Sequence, residues 1–118
     1  MCSILLVEDH ADTRCALETL LHRWGHEVST ADSVAGGIAL ARGQRFDAIV
    51  SDIGLPDGDG CSFLRKVKKT KCRRAVAVAL TAWTTHVDRT RAKLAGFHHF
   101  LNKPIDLDRL RALLSTVI

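Results

Sequence analysis

Five polar residues stand out because each closes or follows an apolar run. Glu8 and Asp9 come after Ile4-Leu5-Leu6-Val7, Asp52 after Ile49-Val50-Ser51, Thr81 after Ala75 to Leu80, and Lys103 just after Phe97 to Leu101. Three carboxylates gathered in one place repel each other and stay ionised only beside a cation. A hard, oxygen-liking divalent ion such as Mg²⁺ or Mn²⁺ suits them, held by one or two carboxylates and several waters. A carboxylate can also attack phosphorus and become an aspartyl phosphate. The phosphoryl oxygens of such a transfer need neutralising, and a divalent ion, an ammonium and a hydroxyl can share that task. Lysine suits the role as a compact point charge. Asp52 alone also has a plainer reading, since Asp opens many turns and Ile53 to Gly60 is rich in Gly, Pro and Asp. The elements around these residues decide between the two.

The chain alternates short apolar runs with helical patterns. Ile4 to Val7 reads as a buried strand. A helix starting near His10-Ala11-Asp12 follows, with Leu17, Leu20, Leu21 and Trp24 as its stripe and Gly25 as its C-terminal cap. Glu27 to Ala31 alternates as an edge strand does. Asp32 or Ser33 can cap a second helix to about Arg42, weakened by Gly36 and Gly37 at about 1 kcal/mol each relative to Ala. Phe46 to Ser51 is the third strand. The third helix has Cys61, Phe63, Leu64 and Val67 on its inner side.

Ala75 to Leu80 is continuously apolar, as a strand covered on both faces should be. A fourth helix over about Thr85 to Ala95 has few anchors (Val87, Ala92, Leu94 and Ala95) and three threonines against it. It is expected to be the least firmly held. Phe97 to Leu101 is the fifth strand. Asp106 caps a last helix with Leu107, Leu110, Leu113, Leu114 and Val117 as its face. Five strands alternating with five helices imply a doubly wound α/β fold with a parallel sheet and helices on both faces. Right-handed crossovers then put every strand's carboxyl end on one edge, where ligands bind in open α/β sheets. Four of those five ends carry Glu8-Asp9, Asp52, Thr81 and Lys103. One acid is weak evidence, but four loops each bringing a polar group to one edge is a constellation.

With these residues in place the chain resembles a response-regulator receiver domain of two-component signalling. The resemblance covers essentially all 118 residues, so residues 1–118 are expected to be one such domain. It is carried by Leu6-Val7-Glu8-Asp9, by Val50-Ser51-Asp52-Ile53-Gly54-Leu55-Pro56-Asp57-Gly58-Asp59-Gly60, by Ala79-Leu80-Thr81-Ala82 and by Phe100-Leu101-Asn102-Lys103-Pro104. It implies a flavodoxin-like sheet of order 2-1-3-4-5. It implies Asp52 as phosphoacceptor, with a histidine kinase or phosphotransfer domain as donor. Asp9, Asp52 and the Gly54 carbonyl would ligate Mg²⁺, and Glu8 would act through a bound water. Thr81 and Lys103 would bind phosphoryl oxygens, with Lys103-Pro104 a cis peptide. Thr81 and Phe100 would be switch residues that reshape the helix 4/strand 5/helix 5 face, a surface also suited to homodimers. The domain would be a phosphoacceptor rather than an enzyme in the ordinary sense. A stand-alone regulator and a receiver from a longer protein, such as a hybrid histidine kinase, both fit the pattern.

Some positions keep two readings. Gly54, two after the acceptor, has no side chain to position an attacking water. Trp83, two after Thr81, either shields the phosphoryl group or is a loop aromatic covering the fourth helix. Phe100 is a switch or plain sheet core. His10 is a loop or helix-cap residue before it is a ligand. A Mg²⁺-dependent phosphatase using the same aspartate is a rival, although such enzymes usually place a second acid where Gly54 stands. A vestigial interaction module is another, against which the complete set of polar residues argues.

Composition narrows the class further. Hydrophobic content of 47% and charged content of 25% describe an ordinary globular chain. No apolar run approaches a membrane span, and the N-terminus lacks the basic region of a signal peptide. Cys2, Cys15, Cys61 and Cys72 have neither disulfide nor zinc spacing. Reduced thiols in a cytoplasmic protein are expected, with Cys15 and Cys61 in the core. Net charge is +4, and much of it lies between Arg65 and Arg74. A solvated helix end explains that cluster better than nucleic-acid binding, since no recognition helix or interleaved aromatics accompany it.

Overall fold

The computed structural model describes residues 2–81 and 86–117. Its elements run β1 (Ser3–Val7), α1 (Ala11–Arg23), β2 (Glu27–Ala31), α2 (Val34–Gly43), β3 (Ala48–Asp52), β4 (Gly54–Leu55), β5 (Gly58–Asp59), α3 (Gly60–Val67), β6 (Val76–Thr81), α4 (His86–Ala95), β7 (His99–Asn102) and α5 (Leu107–Ser115). Five strands pair in parallel in the order β2-β1-β3-β6-β7, and β4 with β5 form a separate small hairpin. With the hairpin set aside, this is the expected 2-1-3-4-5 order and the doubly wound α/β class.

The two-residue period of the central strands builds two cores. Ile4, Leu6, Val50, Val78 and Leu80 pack with Leu17 and Leu21 of α1 and Leu110 and Leu114 of α5. Leu5, Val7, Ile49, Ala77 and Ala79 pack with α2, α3 and α4 on the other face. Each fully buried Leu or Val contributes about 1.5–3 kcal/mol. The sheet is therefore a stiff plate that fixes its carboxyl edge. Gly37, which weakens α2 on propensity, has a packing reason: a β-carbon there would stand 2.7 Å from the Phe63 ring and 3.2 Å from Val7. The helix lies close to the sheet because that residue has no side chain.

Several local expectations shift. Strand β3 begins at Ala48 and includes Asp52, so the acid is the last strand residue rather than the first loop residue. Strand β7 starts at His99, and Phe97 is buried ahead of it. Cys61 is buried but Cys15 is exposed, because two residues of helix turn it away from Leu17. Leu94 is 79% exposed and Leu107 45% exposed, against their expected inward placement. Among the described side chains of α4, Ala92 and Ala95 are buried in place of Leu94, while the expected anchor Val87 lies outside them; Leu107 opens α5 a full turn before Leu110, the first residue of that helix to be buried. Among the described residues no helix is long and apolar enough to cross a membrane.

Candidate functional site

Strands β1 and β3 lie side by side, with Val7 paired to Ser51. Glu8 and Asp52, one residue past that pair on each strand, therefore emerge together. Glu8 is fully buried and Asp52 is 6% exposed. The Glu8 N–H donates to the Ala31 carbonyl at 3.0 Å, which extends the β1–β2 ladder and fixes the acid's direction. Strand β3 continues into the loop through the Ile53 N–H, bound to the Leu80 carbonyl at 3.1 Å.

On the other side Thr81 ends β6, opposite Asn102 of β7. The next residue, Lys103, donates its backbone N–H to the Thr81 carbonyl at 2.8 Å. The Lys103–Pro104 peptide is cis. The Lys103 ammonium lies 2.8 Å from Asp52 Oδ2 and 3.3 Å from Glu8 Oε1. Side chains from three strand ends, Glu8, Asp52 and Lys103, thus meet at one point of the carboxyl edge, and the Thr81 backbone holds Lys103 there.

The charges are strongly coupled. Burial pushes the Glu8 carboxyl up to about 7, its hydrogen bond to Asp52 and that residue's charge push the same way, and Lys103 opposes them. Burial works against the Lys103 ammonium, but hydrogen bonds and attraction to Asp52 and Glu8 outweigh it and raise its pKa. One lysine does not satisfy all the acids. Glu8 Oε2 is buried without a hydrogen-bond partner among the described residues, and the buried Asp9 Oδ1 makes no hydrogen bond although His10 Nδ1 lies 3.2 Å from it. Buried charged oxygens without donors are costly. Ligand atoms of Glu8, Asp9, His10 and Asp52 all lie within 4.8 Å of one another. A carboxylate-rich pocket with unmatched oxygens fits a small divalent cation such as Mg²⁺ or Mn²⁺.

His10 behaves differently from a simple cap. It holds the N-cap position of α1 but makes no side-chain cap bond. Its Nδ1 instead lies 3.2 Å from Asp9 Oδ1 and 3.5 Å from Glu8 Oε1. Gly54 is exposed, and its N–H donates to Asp52 Oδ1 at 3.3 Å. Phe100 is half-buried on the face that carries α2, α3 and α4, in register with Ala79. Trp83 lies outside the described residues.

Two acids of the Gly/Asp loop have structural roles that sequence reasoning missed. Asp57 accepts the N–H groups of Val34 (2.7 Å) and Ala35 (3.0 Å), tying the loop to the start of α2. Asp59 caps α3 by accepting the Ser62 N–H at 2.7 Å and pairs with Arg91 of α4 at 3.3 Å. The Asp59 cap was readable, because an Asp three residues before Ser62 and just ahead of an apolar stripe is an N-cap signal. The Asp57 contact was not, because its partner lies 23 residues back.

Residues 4–115 match the family model described as the response regulator receiver domain. The chain is 39% identical to the transcriptional regulatory protein AfsQ1 of Streptomyces coelicolor, over 97% of this chain and 52% of that protein. It thus spans about half the length of that relative. Among solved structures, chemotaxis protein CheY4 of Vibrio cholerae superposes with a TM-score of 0.93 at 28% identity, covering 100% of this chain and 99% of that one. The receiver domain of sensor histidine kinase PA1611 from Pseudomonas aeruginosa, solved with magnesium in its active-site cleft, gives 0.89 at 32% identity over 98% and 96% of the two chains.

Proposed function

The chain belongs to the response regulator receiver family, and from that premise we propose that it is a phosphoacceptor switch in which Asp52 takes a phosphoryl group from a histidine kinase or phosphotransfer domain. The observation that carries this reading is the Lys103 ammonium 2.8 Å from Asp52 Oδ2, inside a buried acid cluster. In the transfer an Asp52 carboxylate oxygen forms the new P–O bond. The P–N bond of the donor phosphohistidine breaks, and its electron pair leaves with the imidazole. Lys103 then pairs with one phosphoryl oxygen, and the Thr81 hydroxyl donates to another. Asp9, Asp52 and the Gly54 carbonyl are the proposed ligands of Mg²⁺, with Glu8 acting through a water; when bound, the ion neutralises the acids and the incoming phosphoryl charge.

The new charge gives Thr81 and Lys103 different contacts in the two states, which is what a population shift requires. Phe100, on the α4 side of the sheet, follows Thr81 inward and reshapes the α4–β7–α5 face. The exposed Leu94 and Leu107 supply apolar contacts for a homodimer on that face. Trp83, two residues past Thr81, shields the phosphoryl group. The domain itself is a switch rather than an enzyme, contacts no nucleic acid directly and works in the cytoplasm, in keeping with cysteines that form no disulfide among the described residues.

Incubation with acetyl phosphate and Mg²⁺, followed by intact-mass analysis, tests the proposal. A base-labile phosphate on the parent protein and none on Asp52→Asn is the expected result. Rapid turnover of the donor without accumulation would assign a hydrolase instead, and no labelling a vestigial module.

A further inference from the structure

We propose that the opposite edge of the sheet carries a second ligand site, one that takes the phosphate chain of a small oligophosphate. A cavity of about 480 Å³ opens there, lined among others by Arg45, Lys71, Arg73 and Arg74, with Asp47 and Thr116. Its walls come from the segments leading into β3 and β6, so it lies a strand's length away from Asp52 and shares no residue with the acid cluster.

Its charge is the first argument. Seven of the chain's 17 Lys and Arg lie between Arg65 and Arg74, a stretch without an acid, while the other ten face 13 Asp and Glu. The excess positive charge is therefore local. The four cations of the cavity form no ion pair among the described residues. Asp47 is the single acid in the lining, and its Oδ2 already accepts the Ser3 N–H at 2.9 Å. The lining thus carries a net +3, which matches the charge of a short phosphate chain.

Rigidity is the second argument. The Thr70 hydroxyl donates to the Val67 carbonyl at 2.6 Å and accepts the Cys72 N–H at 3.1 Å. Cys72 is buried with Sγ 3.2 Å from the Gln44 carbonyl. The Ala75 N–H returns to the Cys72 carbonyl at 3.0 Å, and the Val76 N–H to that of Asp47 at 3.0 Å. These bonds hold the backbone bearing Lys71, Arg73 and Arg74 in place, so the ordering cost of binding falls on their exposed side chains and not on the loop. Guanidinium forks suit phosphate oxygens, and the volume falls in the range of small-ligand sites, about 300–1,000 Å³. A concave site of this size favours a small oligophosphate over a duplex, which needs a long convex or ribbon-like surface.

The test is an amide-shift titration of the ¹⁵N-labelled chain with sodium tripolyphosphate and, separately, ATP, at constant ionic strength without divalent ions. Saturable shifts at Asp47, Ala75, Val76 and Thr116 are expected, and unchanged in Asp52→Asn, which separates this site from the phosphoacceptor. Equal affinity for both probes assigns the phosphate chain alone, and tighter ATP binding adds the nucleoside. Arg73 and Arg74 are exposed, so the Arg73→Gln/Arg74→Gln protein should keep its fold and bind about a hundredfold more weakly, roughly tenfold per lost cation. Arg65→Gln/Lys66→Gln, with the same charge change outside the cavity, should bind as the parent does. Shifts confined to the Glu8–Lys103 edge overturn the proposal. So does an equal loss in the control, or saturation by duplex DNA or an acidic peptide but not by tripolyphosphate.

Discussion

Gly60 and Asp52 approach backbone to backbone: a β-carbon on Gly60 would stand 2.5 Å from the Asp52 carbonyl oxygen and 3.0 Å from the Ile53 α-carbon. The contact is closed by the Gly60 N–H, which donates to the Ile53 carbonyl at 2.7 Å. The first residue of α3 therefore rests on the backbone of the acid it helps to place. Gly60→Ala forces that backbone to move. A stability loss of about 1–3 kcal/mol is expected, with slower acetyl phosphate labelling of Asp52. Urea denaturation and labelling rates check the two effects. Gly43→Ala, whose β-carbon would meet nothing within 4 Å, is the control that should do neither.

Removing the metal should expose the strain in the acid cluster. The folded-state pKa of Glu8 is raised from 4.5 to about 7. A raised value means stability that is complete below about 4.5 and lost as pH rises through about 7. In EDTA the urea midpoint should therefore fall between those pH values, and Glu8→Gln should flatten the fall. Added Mg²⁺ should restore the midpoint at pH 8 in the parent and much less in Asp9→Ala. A midpoint in EDTA independent of pH would contradict the coupling.

Most of the fold and of the candidate site's placement was legible because the signals are local. Strands such as Ile4 to Val7 and Ala75 to Leu80 are apolar throughout, and each acid or lysine ends its strand or stands just past it. What was missed depends on contacts between distant segments. The Asp57 cap on α2 and the Gly37 contact with Phe63 join residues more than twenty positions apart. Leu94 and Leu107 were misplaced for a different reason. An apolar residue fits a helical stripe on paper, and only packing decides whether a neighbour covers it.

Asp57 gives a pH signature of the opposite sign. Its bonds to the Ala35 and Val34 N–H groups hold the carboxyl below 3.8. A depressed value means stability present above 3.8 and lost as pH falls through the folded pKa. Asp57→Asn should lower the melting temperature at pH 7 and make the loss of stability on acidification shallower than in the parent. The same loss of melting temperature between pH 7 and a pH below 3.8 in the two proteins would show that the cap carries no charge-dependent stability.

His98 supplies a third titration. Its Nδ1 accepts the Ala77 N–H at 3.0 Å, so the bond needs that nitrogen unprotonated. Burial, then the charges of Lys68 and His99, hold its pKa below 6.5. Stability should be complete above 6.5 and fall as pH drops through the lowered value. His98→Asn keeps an acceptor and removes the titration. The parent's urea midpoint should drop between about pH 7.5 and 5.5 more than the variant's does.

Gly54 lets the lifetime of the phosphate be tested without disturbing the fold. A β-carbon there would meet nothing within 4 Å, and its φ is not among the positive ones. Its N–H keeps Asp52 Oδ1 at 3.3 Å whatever the side chain, so the acceptor stays in place. Gly54→Gln should therefore leave stability within about 0.5 kcal/mol. The new amide would stand two residues past the acceptor, on the exposed side, where it can orient a water toward phosphorus. Orientation of this kind should shorten the phosphate half-life by on the order of tenfold. Intact-mass measurement after removal of the donor gives the half-life. An unchanged value in a stably folded, fully labelled variant would mean that water positioning at residue 54 does not limit hydrolysis.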